Sequence, residues 1–182
     1  MIWATMIAVR QKMMEMKLEP IQRIVQPATV RVRGLCISPA HNYFGHHGKP
    51  AGQNGTIEVK RIECVAGRGI RGDRFFDYKN HYKGQVTFFA WETFQQIQRQ
   101  LHIWKRPVTA FRRNVITKGV DLNSFIGRDF WVQGVHFLGA EECRPCYWMD
   151  EAFGPGAEEF LKGRGGLRAE ILSDGYLCLN VP

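Results

Sequence analysis

Beyond residue 28 the apolar positions of this chain recur at every second residue in short runs, the spacing that puts alternate side chains on one face of a β-strand. Over 29–38, Val30 and Val32 fall on even positions and Leu35 and Ile37 on odd ones, with Gly34 where the phase changes. That pattern predicts a strand with a bulge at the glycine. Ile57 and Val59 alternate with Glu58 and Lys60, and Ile62 and Cys64 continue in the opposite phase, so a strand that bends is expected there. Residues 85–90 and 114–117 read as two more strands. Phe130 and Val132, then Val135 and Phe137, flank Gln133-Gly134, a two-residue hairpin turn. Leu167, Ala169 and Ile171 run into Ser173-Asp174-Gly175, and Leu177 and Leu179 return, which predicts a second hairpin.

Helix is sparse. Trp91, Phe94, Ile97 and Leu101 place one apolar stripe on a helix over 92–101, and a turn or two is expected over 157–161, after Pro155. Such a stripe is core packing rather than a cofactor box. The fold class that follows is mainly β: short strands with glycine-marked bends forming a β-barrel with a few short helices.

No repeat or change of composition divides 29–182, which reads as one domain. Residues 1–28 differ: Met1, Met6, Met13, Met14 and Met16 crowd there, and the segment is expected to be a mobile or loosely helical N-terminal extension. Its apolar opening is followed, not preceded, by Arg10 and Lys12 and has no small-residue cleavage site, so export is not expected. No run approaches the roughly 18 apolar residues of a membrane span. Five cysteines, an odd number spread over 182 residues, argue for a reducing, cytoplasmic setting rather than a disulfide framework. The net charge of +8 favours anionic partners, but the basic residues are scattered, so nucleic acid is a remote alternative.

Candidate chemistry concentrates at Cys143-Arg144-Pro145-Cys146. Two thiols at this spacing can face one ion or join as a disulfide, Arg144 sets a cation between them, and Pro145 fixes the backbone before the second sulfur. The motif alone leaves these options open; a zinc site is weak, because one such pair lacks its partner pair. Residues 67–74 combine Gly67, Gly69 and Gly72 with Arg68, Arg71 and Arg74, which suits a phosphate-binding nest and equally a tight turn with an Asp73–Arg74 ion pair. The longest irregular stretch, 41–55, carries His41, His46 and His47. A long ordered loop is often functional, although its histidines are more ordinary as solvent-facing groups than as metal ligands. Asp121 reads as a turn or cap residue.

Taken in order, Gly67-Arg68-Gly69-Ile70-Arg71-Gly72-Asp73-Arg74, Gln85-Val86-Thr87, Arg113-Asn114, Gly119-Val120-Asp121-Leu122, Gly127, Cys143-x-Pro-Cys146 and Gly165-Gly166-Leu167-Arg168-Ala169 resemble the MOSC domain, the family named for the C-terminal domain of molybdenum cofactor sulfurase. Each element is short; their order over about 29–179 is what carries the resemblance. It implies a barrel-like β fold, a molybdenum cofactor of the molybdopterin type, and Cys146 as the thiolate that ligates the metal or carries sulfur, with no assured role for Cys143. Arg74, Arg113, Asn114 and Arg168 would meet the pterin or its phosphate. Gln85 and Thr87, two apart on one strand, would offer an amide and a hydroxyl to a pterin edge in one cavity.

The family includes stand-alone bacterial proteins and the eukaryotic amidoxime-reducing components, which reduce N-hydroxylated compounds. The implied function is therefore reduction of N-hydroxylated or related small molecules, fed by an external electron donor protein. The alternative is a sulfur carrier that passes persulfide sulfur from Cys146 and is served by a sulfur donor protein. No pyridoxal phosphate is expected, since the chain has no room for a desulfurase domain, and no membrane partner is expected.

Overall fold

A computed structural model describes residues 30–179; the expected N-terminal extension lies outside the described residues. The described residues form ten strands: β1 (Arg31–Ile37), β2 (Ile57–Glu58), β3 (Arg61–Val65), β4 (Gly69–Ile70), β5 (Val86–Ala90), β6 (Val115–Lys118), β7 (Asp129–Val132), β8 (Val135–Glu142), β9 (Leu167–Ile171) and β10 (Gly175–Cys178). Among the described residues three helices join them: α1 (Trp91–Leu101), α2 (Trp148–Ala152) and α3 (Ala157–Leu161). Single 3₁₀ turns cover Val108–Phe111 and Leu122–Phe125.

The fold is mainly β, as the periodicity predicts. Its strands form a seven-stranded sheet in the order β2-β1-β6-β5-β9-β8-β7 and a three-stranded sheet β10-β3-β4, and the two do not close into one hydrogen-bonded ring. Where the phase of β1 changes, the register with β6 slips between Val32 and Gly34, the expected bulge. The bend in the next strand hands the chain from one sheet to the other. Glu58 pairs with Cys36 of β1, whereas Arg61 pairs with Cys178 of β10.

Gln133 and Gly134 turn the β7–β8 hairpin with φ of 49° and 82°, the doubly left-handed geometry of a type I′ turn. The second expected hairpin is not formed. β9 pairs with β5 and β8, while β10 pairs with β3 in the other sheet. The turn residues are bonded outward: Ser173 Oγ accepts from the His136 amide and Asp174 Oδ1 from the Ala66 amide, so the chain crosses between sheets instead of folding back.

The sheets trap one apolar layer between them, including Leu35, Ile62, Cys64, Phe88, Val115, Phe137 and Leu177. The other face of the seven-stranded sheet packs Phe89 and Ile116 against Phe94 and Ile97 of α1, Phe111, and Trp148 and Phe153 beyond β8. Because alternate residues of β5 enter different layers, Val86, Thr87, Phe88 and Phe89 are all buried, which is why this strand reads as a continuous run. Among the described residues no helix is long and apolar enough to cross a membrane.

Two thiols sit inside this core. Burial first, then the charge of Glu58, pushes Cys36 up to about 11; burial first, then Glu63, pushes Cys64 up to about 12. The folded chain therefore keeps protons that unfolded cysteines release near 9.0, and stability falls as pH rises from there toward 11. Urea unfolding between pH 8 and 11 should show that loss, and Cys64→Val should reduce it; an unchanged slope in the variant contradicts the assignment.

Candidate functional site

Five of the seven residues that the family resemblance assigns to a site, Arg74, Thr87, Arg113, Arg168 and Cys146, line one cleft of about 320 Å³. Cys146 lies in the irregular segment between β8 and α2, is exposed, and its carbonyl accepts the Met149 amide at 2.8 Å as α2 begins. Cys143 also lines the cleft but is buried. Its amide donates to the Gly166 carbonyl at 2.8 Å. A Cβ at Gly165 would lie 2.2 Å from the Cys143 carbonyl oxygen, and one at Gly166, where φ is +100°, 2.2 Å from that of Phe88. The glycine pair is thus in backbone contact with the cysteine segment on one side and with β5 on the other, an approach that a Cβ would block.

The segment 67–74 divides its arginines. Arg68 pairs with Asp77, and Arg71 pairs with Glu63 at 2.8 Å, both at the surface. Only Arg74 turns into the cleft. Its side chain is 12% exposed, its guanidinium lies over the Phe75 ring, and Asp73 is 3.5 Å away. The expected Asp73–Arg74 pair is therefore present together with a cleft-directed cation. Asp73 is well served: Oδ2 accepts from the Ser38 amide at 2.9 Å and from Asn114 Nδ2 at 3.0 Å. Arg74 is not, because its buried Nη1 has no hydrogen-bond partner. Desolvation pulls Arg74 down to about 10; Asp73 opposes this, and Arg112 and Arg113 add to it. With Asp73 3.5 Å from that donor and the cations Arg112 and Arg113 nearby, the buried guanidinium is short of acceptors and is suited to a further anionic partner.

Gln85 and Asn114 do not reach the cleft, which corrects the expectation that Gln85 shares a cavity with Thr87. Gln85 donates from Nε2 to the Gly67 carbonyl and accepts the Ile171 amide at Oε1, so it clips the glycine-rich loop to β9. Asn114 Oδ1 accepts both the amide and the hydroxyl of Thr87, and its Nδ2 donates to Cys36 and Asp73. Its role is to support the cleft wall from behind.

Arg113 spends Nε on the Gly165 carbonyl and Nη1 on that of Phe111. Arg168 stands 3.5 Å from Glu141. Arg144 is exposed on the same cleft, with no carboxylate paired to it among the described residues.

The long loop forms one wall, contributing His41, Tyr43, Phe44 and His47. Reciprocal bonds between Asn42 and Asn54 close its neck, and Arg112 donates to the carbonyls of Ala40 and Asn54. Tyr43 stacks on Trp148 at 5.0 Å, and His47 Nδ1 lies 3.0 Å from the Tyr147 hydroxyl, beside Cys146. Burial first, then Arg74 and Arg112, lowers His41, with Asp73 opposing them. Nothing in the local sequence separates Arg112, which holds the loop, from Arg113, which faces the cleft; the left-handed φ of 53° at Arg112 does. Among the described residues no three His, Cys, Asp or Glu side chains are grouped to hold a metal.

The MOSC domain model matches residues 46–177, and the chain belongs to the MOSC domain family. The YuaD protein from Bacillus subtilis shares the fold, with a TM-score of 0.65 at 16% identity over 84% of this chain and 93% of that one. YiiM from Geobacillus stearothermophilus superposes with a TM-score of 0.60 at 12% identity over 82% and 71% of the two chains. For YiiM from Escherichia coli the TM-score is 0.57 at 16% identity, over 84% and 67%. At such identities the likeness establishes the fold alone. No curated protein matches the chain.

Asn114→Ala should lower stability by about 1–3 kcal/mol, the cost of leaving buried partners unpaired, measured by urea unfolding; a change of only a few tenths contradicts the wall-supporting role. In the native protein a bulky thiol reagent should label Cys146 first and leave Cys36 and Cys64 untouched, as peptide mass mapping would show; early labelling of Cys64 contradicts its burial.

Proposed function

We propose that this MOSC protein binds a molybdenum cofactor of the molybdopterin type in the cleft and reduces N-hydroxylated or related small molecules, with Cys146 as the metal ligand. The observation that carries this reading is the pairing, in one cleft, of an exposed thiol with the under-bonded, desolvated guanidinium of Arg74. A thiolate is a soft donor suited to such a metal, and guanidinium groups are suited to a phosphate. The residues present fit the group: Arg74 and Arg113 would hold the phosphate, Arg168 would close that site, and the wall at Thr87 would face the pterin. A volume of about 320 Å³ lies at the lower end of the range for small-molecule sites.

When bound, the cofactor would supply the metal and the two electrons needed to break an N–O bond. The chain's own part is to bind, orient and exclude water. Asp73 and Asn114 fix the position of Arg74 and Thr87, while the 41–55 loop, locked by Arg112 and by the Tyr43–Trp148 stack, shields one side. Loss of the oxygen as water consumes two protons and two electrons, so reducing equivalents must arrive from a separate electron donor protein.

The exposure of Cys146 at the surface also favours a second reading, in which its sulfur carries a persulfide received from a donor protein and passes it on.

Cys146→Ser should abolish both molybdenum retention and reduction of an N-hydroxylated test compound, whereas Cys143→Ser should have a milder effect. Full molybdenum content and activity in both variants would contradict the ligand assignment. A labile adduct of one sulfur atom on Cys146, without molybdenum, would favour the carrier.

A further inference from the structure

A second groove, of about 460 Å³, lies away from Cys146, between α1 and β1. Its position follows from the local sequence. Helix α1 ends at Leu101, His102 adopts a left-handed φ of 54°, and the chain reverses so that residues 104–107 arch beside the helix. The floor is apolar: Leu35, Phe94 and Ile116 are buried beneath it. Cys36, also on the floor, is held as a neutral thiol by its burial and is an inert part of that surface.

Two indoles flank the groove, and Trp104 is 61% exposed. An exposed tryptophan beside an apolar recess is surface that association would remove from water. The rim carries three cations, Arg33, Lys105 and Arg106, against the single carboxylate of Glu58. Among the described residues none of the three pairs with a carboxylate. Arg33 instead lies 4.9 Å from the centre of the Trp91 ring, which leaves its guanidinium edge for a ligand.

Flat indole faces, a greasy floor and an unneutralised cationic rim complement one kind of occupant, and we propose that this groove is a second ligand site, taking a planar aromatic carboxylate. The ring would lie against Trp104 and the apolar floor, and the carboxylate would meet Arg106 and Lys105, with Arg33 across the groove. The chain's own residues 1–29 do not complement it: they carry Arg10, Lys12, Lys17 and Arg23 against Glu15 and Glu19, a net positive charge facing a cationic rim. The proposal is independent of molybdenum chemistry at Cys146.

Calorimetric titration of the full chain with 1-naphthoate and with its neutral analogue 1-naphthalenemethanol tests it. The carboxylate should bind at least about tenfold more tightly, and added salt should narrow the gap. Trp104→Ala, and separately the pair Lys105→Gln and Arg106→Gln, should each weaken naphthoate about tenfold or more, consistent with loss of stacking or of charge-assisted bonds. All three positions are exposed, so the folded state should persist, as circular dichroism would check. Cys146→Ser and Arg74→Gln should leave the affinity unchanged. No binding to the full chain, equal affinity for the alcohol, or loss of binding only in the Cys146 cleft variants would overturn the assignment.

Discussion

The buried carboxylate of Asp73 is the constraint on which the cleft depends. It accepts the backbone amide of Ser38 after β1, the side-chain amide of Asn114 before β6, and the attraction of Arg74. Asn114 in turn takes both the amide and the hydroxyl of Thr87 on β5. One charge in a low-dielectric place thus ties two adjoining strand ends and the glycine-rich loop to a common point, with β5 joined through Asn114. Such a charge is tolerated only because its hydrogen bonds are made. Arg74 Nη1, 3.5 Å from Asp73 Oδ2, is buried without a hydrogen bond of its own.

The cleft's positive character is therefore not a general consequence of a net charge of +8. Arg68 and Arg71 belong to the same basic segment and are matched at the surface, and Arg112 is consumed in holding the long loop. The electrostatics of the site come down to Arg74, to the parts of Arg113 and Arg168 left free, and to Arg144 beside the exposed sulfur. This division between cations consumed in the fold and cations with donors left over sets the cleft apart from an ordinary basic surface. Family membership is consistent with it, while the cofactor itself is inferred from the donors present.

Much of the fold was legible because period-two patterning depends only on which face of a strand is buried. The bulge at Gly34, the bend between Glu58 and Arg61 and the turn at Gln133-Gly134 all lie where the apolar phase or a glycine marks them. The misread hairpin at Ser173–Gly175 shows the limit of that approach: turn composition is local, whereas the choice of sheet was made by bonds from Ser173 and Asp174 to distant strands. The site divided in the same way. The family resemblance grouped Arg74, Gln85, Thr87, Arg113, Asn114, Arg168 and Cys146, but the sequence does not reveal that Gln85 spends its amide on the backbone of Gly67 and Ile171, and Asn114 on Thr87, Cys36 and Asp73. Nor could it find Arg112 or the Tyr43–Trp148 stack, which are products of long-range packing. The double glycine at 165–166 was visible as a motif, yet its reason, close approach to Cys143 and Phe88, exists only in three dimensions.

The central claim is that the thiol of Cys146 and the under-bonded guanidinium of Arg74 belong to one site for a phosphorylated, metal-bearing group. Its most direct test is metal analysis of the protein made in a host that synthesises the cofactor, together with fluorescence of the oxidised pterin released on denaturation. The account predicts molybdenum and pterin in equal amounts, copurifying with the chain. Finding neither in the purified protein would contradict it.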